Sequence, residues 1–251
     1  MVSTLYISPP ILSLIHISKY KGWQRQSNTG DTIQGKLENI LYKLTGQVIE
    51  VDGSGRTDAG VHAAAQQANF RIDTEMTPEE IMDYMNTYLP RDIGIMSARE
   101  ASPRFHSRLN AIRKTYCYRI HTGKVPCIFD ARYRWIKGGE LDVNAMRLAA
   151  SHMLGKHDFK SFTDLKKTKK STVRTIDSID ITEKDGDIDI TFTGDSFLYH
   201  MVRILTGTLC EAGEGKISPD DIPSIIDAQD RQKAGPLAPA EGLMLMKVYY
   251  D

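Results

Sequence analysis

Cysteine is scarce in this sequence. Cys117, Cys127 and Cys210 are the only three in 251 residues, and no two form a Cys-x-x-Cys pair. An odd count so spaced argues against a disulfide framework and against a thiolate zinc site, and it suits a reducing cytosol. Long apolar runs are lacking too. The stretch from Leu5 to Ile17 is apolar but is broken by Pro9 and Pro10. It is too short to span a bilayer and has neither a basic leader region nor a clear small-residue cleavage site, so no membrane association is expected. Net charge is absent, with 32 Lys and Arg against 32 Asp and Glu. That excludes a polybasic tail but not nucleic acid, because acid elsewhere on the molecule balances a basic cleft. There is no Walker loop, no Rossmann fingerprint, no zinc-ligand spacing, no low-complexity segment and no clear internal repeat. Neither a nucleotide cofactor nor a metal is therefore expected. A hydrophobic fraction of 41% and a charged fraction of 25% leave a soluble intracellular α/β protein of one large or two small domains.

What stands out instead is the stretch Gly53-Ser54-Gly55-Arg56-Thr57-Asp58-Ala59-Gly60-Val61-His62-Ala63. Three glycines flank one arginine and one aspartate. Glycine adopts backbone conformations that other residues avoid and lets other groups approach closely, so this loop is able to bend sharply and present Asp58 beside something large. A carboxylate next to a guanidinium suits acid–base or nucleophilic chemistry. On spacing alone, a glycine-rich turn with a solvated ion pair fits as well.

The rest of the chain reads as alternating helices and strands. Leu14–Ser18 reads as a first strand, and residues 1–12, with two prolines and no periodic pattern, are expected to be disordered and dispensable. Asp31 or Thr32 caps a helix with Ile33, Leu37, Ile40, Leu41 and Leu44 on one stripe, and Gly46 ends it. Val48–Val51 reads as a strand leading into the Asp58 loop, and a further strand follows near Gln67 to Ile72. Thr77-Pro78-Glu79-Glu80 opens a helix that stops before Pro90. Arg99 to Lys114 is rich in Arg, Lys and His, and suits an RNA-facing stretch or a solvated loop equally. Tyr116 to Ile120 alternates as a strand, with Tyr116 and Tyr118 on one face. A helix runs from Asp142 to Leu154, before Gly155. Lys166 to Lys170 is a basic run, either solvated or in contact with phosphate. Asp185-Gly186 between Ile179–Ile181 and Ile188–Phe192 signals a hairpin. Ser196 caps a helix of about 197–212 that carries Arg203 in an apolar setting, Ser218-Pro219 opens another, and Gly242 to Tyr249 closes the chain as a strand.

Several segments together resemble the tRNA pseudouridine synthase A family. Gly-Arg-Thr-Asp-Ala-Gly-Val-His at 55–62 resembles that family's signature. Gly22-Trp23-Gln24-Arg25-Gln26, followed by Thr32-Ile33-Gln34 and Leu37, resembles its N-terminal motif. Leu89 to Ile93, Phe105-His106-Ser107-Arg108, Lys114-Thr115-Tyr116-Cys117-Tyr118, Gly155 to Phe159, Met201-Val202-Arg203 and Gly242-Leu243 follow in family order. Ser18 to Lys21 replaces the family's usual Tyr-Asp-Gly, so the first turn is shortened here. The resemblance implies an α+β pseudouridine synthase fold. Two similar halves, 1–104 and 105–251, would carry antiparallel sheets that meet at a central catalytic cleft, with helices outside.

The implied reaction isomerises uridine to pseudouridine in the anticodon stem-loop of tRNA, at positions 38, 39 and 40, with no cofactor. Asp58 matches the catalytic aspartate. Arg203 matches its ion-pair partner, Arg56 the residue that takes the place of the extruded uridine, and Tyr116 the tyrosine that stacks on the uracil. Leu245 supplies apolar wall, and Arg25, Arg104, His106, Arg108 and Lys114 are the expected RNA contacts. The resemblance also implies a cytoplasmic homodimer. Two other classes stay open: a catalytically silent tRNA-binding or chaperone protein of the same fold, and an aspartic peptidase suggested by Asp52-Gly53-Ser54-Gly55. A carboxylate facing phosphates disfavours the first, and the lack of a second such loop disfavours the other. If Arg104, Arg108, Arg113, Lys114 and the lysines at 166–170 do contact phosphates, tRNA affinity measured by filter binding will fall steeply between about 50 and 200 mM salt. Binding indifferent to salt would show that they do not.

Overall fold

The computed structural model describes residues 3–7, 20–125, 127–166 and 170–251. In chain order its elements are β1 (Ser3–Ile7), α1 (Ile33–Thr45), β2 (Asp52–Gly53), β3 (His62–Ala63), β4 (Ala68–Ile72), α2 (Pro78–Tyr88), β5 (Arg99–Glu100), β6 (Arg113–His121), β7 (Trp135–Ile136), α3 (Val143–Ser151), β8 (Gly155–Asp158), β9 (Val173–Lys184), β10 (Asp187–Gly194), α4 (Met201–Gly213), α5 (Ile222–Ala228) and β11 (Leu243–Tyr249). The chain is α+β and forms two compact units, Met1–Ile112 with Met244–Asp251, and Arg113–Leu243. The sequence reading divides the chain at 104/105. The segment after that point stays with the first unit because Ser107 N donates to Asn69 Oδ1 at 2.7 Å, Ser107 Oγ donates to the Asp52 carbonyl at 2.7 Å, and Ile112 N donates to the Tyr249 carbonyl at 3.0 Å.

In the first unit, an antiparallel sheet runs in the order β2-β4-β1-β5. The alternation in β4 sends Phe70 and Ile72 into a core shared with Ile33, Leu37, Leu41, Ile81 and Met85. The stripe on α1 supplies the first three of those partners. Thr32 Oγ1 accepts from Gly35 N to start α1, and Gly46, at φ 71°, ends it. Thr77 and Glu80 form a complete capping box at the start of α2.

Two expectations for this unit are corrected. Residues 1–12 do hold an element, since Ser3 to Ile7 pairs antiparallel with Ile72 to Ala68. A Ser-Thr-Leu-Tyr-Ile run has strand propensity. The strand expected at Leu14–Ser18 lies outside the described residues. Val48–Val51 is not a strand. Val51 N donates to Glu38 Oε1 at 3.2 Å, so it has no proton left for a ladder, and pairing begins only at Asp52.

In the second unit, β6, β10, β9 and β8 are antiparallel neighbours in that order, and β7 lies parallel beside β6. Asp185 and Gly186 take φ of 54° and 81°, as a two-residue hairpin turn requires. Tyr116 opposes Phe192, Tyr118 opposes Ile190 and Ile120 opposes Ile188, all buried. α3 packs on α4 and β9. The helix expected at 197–212 begins only at Met201. Asp195 N still bonds the Thr175 carbonyl, Ser196 Oγ bonds Asp195 rather than capping, and a turn closes from Met201 N to the Leu198 carbonyl at 3.1 Å.

His121, Arg119 and Cys117 alternate with the buried aromatics along β6. His121 Nδ1 meets Asp187 Oδ1 at 2.7 Å and Nε2 meets the Val125 carbonyl at 2.7 Å. Two acceptors require both ring nitrogens to carry hydrogen, so the protonated imidazole fits. Asp187 and then the Val125 carbonyl raise its pKa above the ordinary histidine value, while nearby Arg134, which also faces Asp130, Asp187 and Asp189, opposes them. A raised folded-state pKa stabilises the fold fully below about pH 6.5, and that contribution is lost as pH rises through the raised value. We predict that the urea midpoint of the wild type exceeds that of His121→Asn by an amount that shrinks with rising pH across that window. A difference that stays flat with pH would show that the ring is not protonated.

Candidate active site

The loop around Asp58 is built by close backbone approach. Gly22 sits at φ +98°, and a Cβ there would lie 2.7 Å from the Thr57 carbonyl. Trp23 N donates to that same carbonyl at 3.1 Å. The Trp23 ring packs flush on Gly53, where any side chain would overlap it. The segment 22–23 is tied in turn to the start of α1, because Ile33 N and Gln34 N donate to the carbonyls of Gly22 and Trp23. The glycines at 22 and 53 thus let the N-terminal motif clamp both ends of the loop. Within it, Val61 N donates to the Asp58 carbonyl at 3.1 Å and Gly60 takes φ +86°, which turns the chain directly after Asp58. Asp58 is half-buried and Arg56 exposed.

Side-chain amides hold the loop from two sides. On one, Arg56 Nε donates to Gln24 Oε1 at 3.0 Å, and Gln24 Nε2 donates to Gln34 Oε1 at 2.8 Å. Gln34 Nε2 donates to Glu38 Oε1 at 2.9 Å, and Glu38 Oε2 pairs with Arg25 Nη1 at 2.8 Å. On the other, Ser54 Oγ donates to Gln66 Oε1 at 2.6 Å, and Gln66 Nε2 donates to the Gly55 carbonyl at 2.9 Å. Beyond the loop, His62 and Ala63 pair parallel with Met244 and Leu245, and Ala64 N donates to the Leu245 carbonyl at 2.8 Å. The Leu245 side chain is buried.

The remaining expected site residues fall in two groups. In the first unit, Arg104 and Arg108 are exposed on the segment that Ser107 anchors. His106 Nδ1 accepts from Arg108 N at 3.1 Å, and its Nε2 lies 3.9 Å from Asp52 Oδ2. The second unit carries Lys114, Tyr116 and Arg203. Tyr116 is buried on β6 and meets Phe197 edge-on at 5.2 Å. Arg203 Nε donates to the Ala238 carbonyl at 2.7 Å, and Ala238 N returns a bond to the Arg203 carbonyl at 3.2 Å.

The sequence as a whole has relatives among known proteins. A family model described as tRNA pseudouridine synthase matches residues 18–109 and 149–251. The chain belongs to the tRNA pseudouridine synthase family. It is 44% identical over 227 residues to "tRNA pseudouridine synthase A" of Bacillus sp. (strain KSM-64), covering 90% of this chain and 93% of the relative. It is 44% identical over 233 residues to "tRNA pseudouridine synthase A 1" of Clostridium tetani, covering 93% and 95%. Against "tRNA pseudouridine synthase A 2" of Bacillus cereus, identity is 40% with the same coverage. Among solved structures, "Crystal Structure of a Cbf5-Nop10-Gar1 Complex" aligns over 99% of this chain and 58% of that one, at 12% identity and TM-score 0.41. That likeness is too loose to carry an argument. The family-model match includes Asp58, Arg203 and Leu245, while Lys114 and Tyr116 lie in the interval between its two spans.

For this member of the tRNA pseudouridine synthase family, the sequence reading missed the supporting residues. Gln66, Asn69 and Tyr250 carry no local signal, because their partners are distant in sequence, and the motif that contains Ser107 does not show what that serine anchors. Tyr250 Oη, for example, donates to the Ser107 carbonyl at 2.6 Å. Gln34 and Glu38 had one available signal, two polar residues four apart on a helix whose neighbouring positions are apolar. Gln66 is the sharpest test of this support, being 1% exposed. Gln66→Leu leaves Ser54 Oγ and the Gly55 carbonyl without that partner. We expect it to lower stability by about 1–3 kcal/mol in urea titration and to reduce turnover more than RNA affinity. Unchanged turnover would show that the loop does not need this brace.

Proposed function

We propose that the protein converts uridine to pseudouridine in the anticodon stem-loop of tRNA, at positions 38, 39 and 40, and that Asp58 begins the reaction. The observation that carries this reading is a half-buried carboxylate on a loop whose backbone is fixed by Gly22, Trp23 and Gln66 and whose Arg56 side chain is held by Gln24. Such pre-organisation suits a group that must meet one atom of a substrate. The reaction breaks the N1–C1′ bond of the uridine and joins C1′ to C5. The C5 proton leaves and N1 gains one, so no atom is gained and no oxidant or reductant is needed.

The target base must leave its stack, at a cost of a few kcal/mol. Arg56, exposed and aimed by Gln24, fits the role of filling the vacated place. The family pattern gives Tyr116 to the extruded uracil, Arg203 to the charge on Asp58 and Leu245 to the apolar wall. Arg25, Arg104, His106, Arg108 and Lys114 fit phosphate and ribose contacts. Reaching three adjacent positions calls for reading RNA shape more than sequence. The same reading makes the working form a cytoplasmic homodimer, and sedimentation showing a stable monomer that modifies tRNA would refute that part.

The decisive measurement is single-turnover tritium release from 5-tritiated uridine in a tRNA anticodon arm. Asp58→Asn keeps the size and one acceptor oxygen but loses the negative charge. It should abolish release while tRNA affinity changes less than about tenfold, roughly 1.4 kcal/mol. Arg203→Met should lose release as well, and Tyr116→Ala should slow it through lost stacking. Substantial release by Asp58→Asn would overturn the mechanism.

A further inference from the structure

The second unit holds a cluster that none of the roles above uses. Tyr199 and His200 stack on each other with ring centroids 3.7 Å apart at 26°. Tyr199 is 49% exposed, so one side of its ring is backed by imidazole while much of the remainder faces solvent. The imidazole is held from several directions. His200 Nδ1 meets Asp164 Oδ2 at 2.6 Å, and Asp164 Oδ1 accepts from Arg231 Nε at 2.9 Å. Arg231 Nη1 donates to the Gly235 carbonyl at 2.9 Å. The backbone is pinned as well, with Thr163 Oγ1 donating to the Tyr199 carbonyl at 2.8 Å and His200 at φ +63°, a conformation that non-glycine residues rarely adopt.

These bonds tie three segments together without the Tyr199 ring, so packing alone does not account for an aromatic left half in water. A rigid, backed aromatic face is a stacking surface, and every nucleobase has a matching face. Positive charge adjoins the segments that hold the imidazole: Lys166, exposed, stands two residues after Asp164, and Lys233, also exposed, two after Arg231. Tyr116, the tyrosine assigned to the reacting uracil, is buried on β6 and is a separate residue from this one.

We propose that Tyr199, backed by His200 and aimed by the Asp164–Arg231 pair, stacks on an unpaired base of the tRNA other than the reacting uridine. It is a positioning residue and takes no part in bond making. This rests on the tRNA reading above.

The test measures tRNA dissociation constants and steady-state kinetics for Tyr199→Ala and Tyr199→Phe, with photocrosslinking of the wild type to a 4-thiouridine-substituted tRNA transcript. Tyr199→Ala should weaken binding and raise KM by about tenfold, with kcat reduced less than twofold and the melting temperature unchanged. Tyr199→Phe should behave as wild type, and the crosslinked peptide should contain Tyr199. Tyr199→Ala with wild-type affinity and KM would overturn the proposal, as would Tyr199→Phe failing as badly as Tyr199→Ala, which would assign the effect to the hydroxyl. A wild type that binds tRNA but forms no pseudouridine would sink the proposed function instead, and the dissociation constants would still decide the role of Tyr199.

Discussion

The candidate site depends first on a backbone contact with no side chain in it. Gly22 lies against the peptide of Thr57 to Ala59, and Trp23 N reaches the Thr57 carbonyl across the same gap. A methyl group at 22 would force the two segments apart, and its φ of +98° would be strained for any other residue. The contacts that the N-terminal motif makes to the loop follow from this approach, while Ser54 and Gln66 brace it from the other side. The Trp23 ring reaches Gly53 only because the backbone has already been brought in, and Gln24 reaches Arg56 for the same reason.

The polar network around that contact obeys a stricter rule than packing does. Gln34 is 3% exposed and Glu38 is 8% exposed, yet each polar atom of their side chains has a partner. In a poorly hydrated setting an orphaned amide or carboxylate costs more than a satisfied one contributes. Such a network therefore tolerates few substitutions and fixes one arrangement. It also reaches past the site, because Glu38 takes the Val51 amide and thereby decides where strand pairing starts.

Elements whose signals are local were legible in the sequence. Thr32 and Gly46 bound α1, Thr77 and Glu80 open α2, and Asp185-Gly186 makes the hairpin, each through bonds to near neighbours. Asp58 was legible because glycines surround it. What escaped was decided at a distance. Ser196 has the chemistry of a helix cap, but Asp195 is still bonded to Thr175 on β9, so the helix cannot start there. Val51 belongs to an apolar run, but a side chain thirteen residues earlier takes its proton. Gln66 looks like an ordinary polar loop residue until Ser54 is brought to it, and the anchoring role of Ser107 shows only once Asn69 and Asp52 are beside it.

The chain between Gly235 and Ala238 has a consequence of a different kind. It runs along α4 in contact with Gly207, where a methyl group would overlap the Pro236 carbonyl, and Gly235 N bonds Thr208 Oγ1 at 2.9 Å. It then supplies the carbonyl that orients Arg203, and at Pro239 it accepts the Tyr118 hydroxyl at 2.7 Å. The carbonyl that receives Arg203 Nε is thus placed by main-chain atoms counted along a fixed length. Both the length of this stretch and the glycine at 235 are constrained, since a Cβ there would lie 2.6 Å from Thr208 Cα. One residue inserted or deleted between Gly235 and Pro239 would move the carbonyl out of register with Arg203, a change that substitutions in the surrounding core would not compensate.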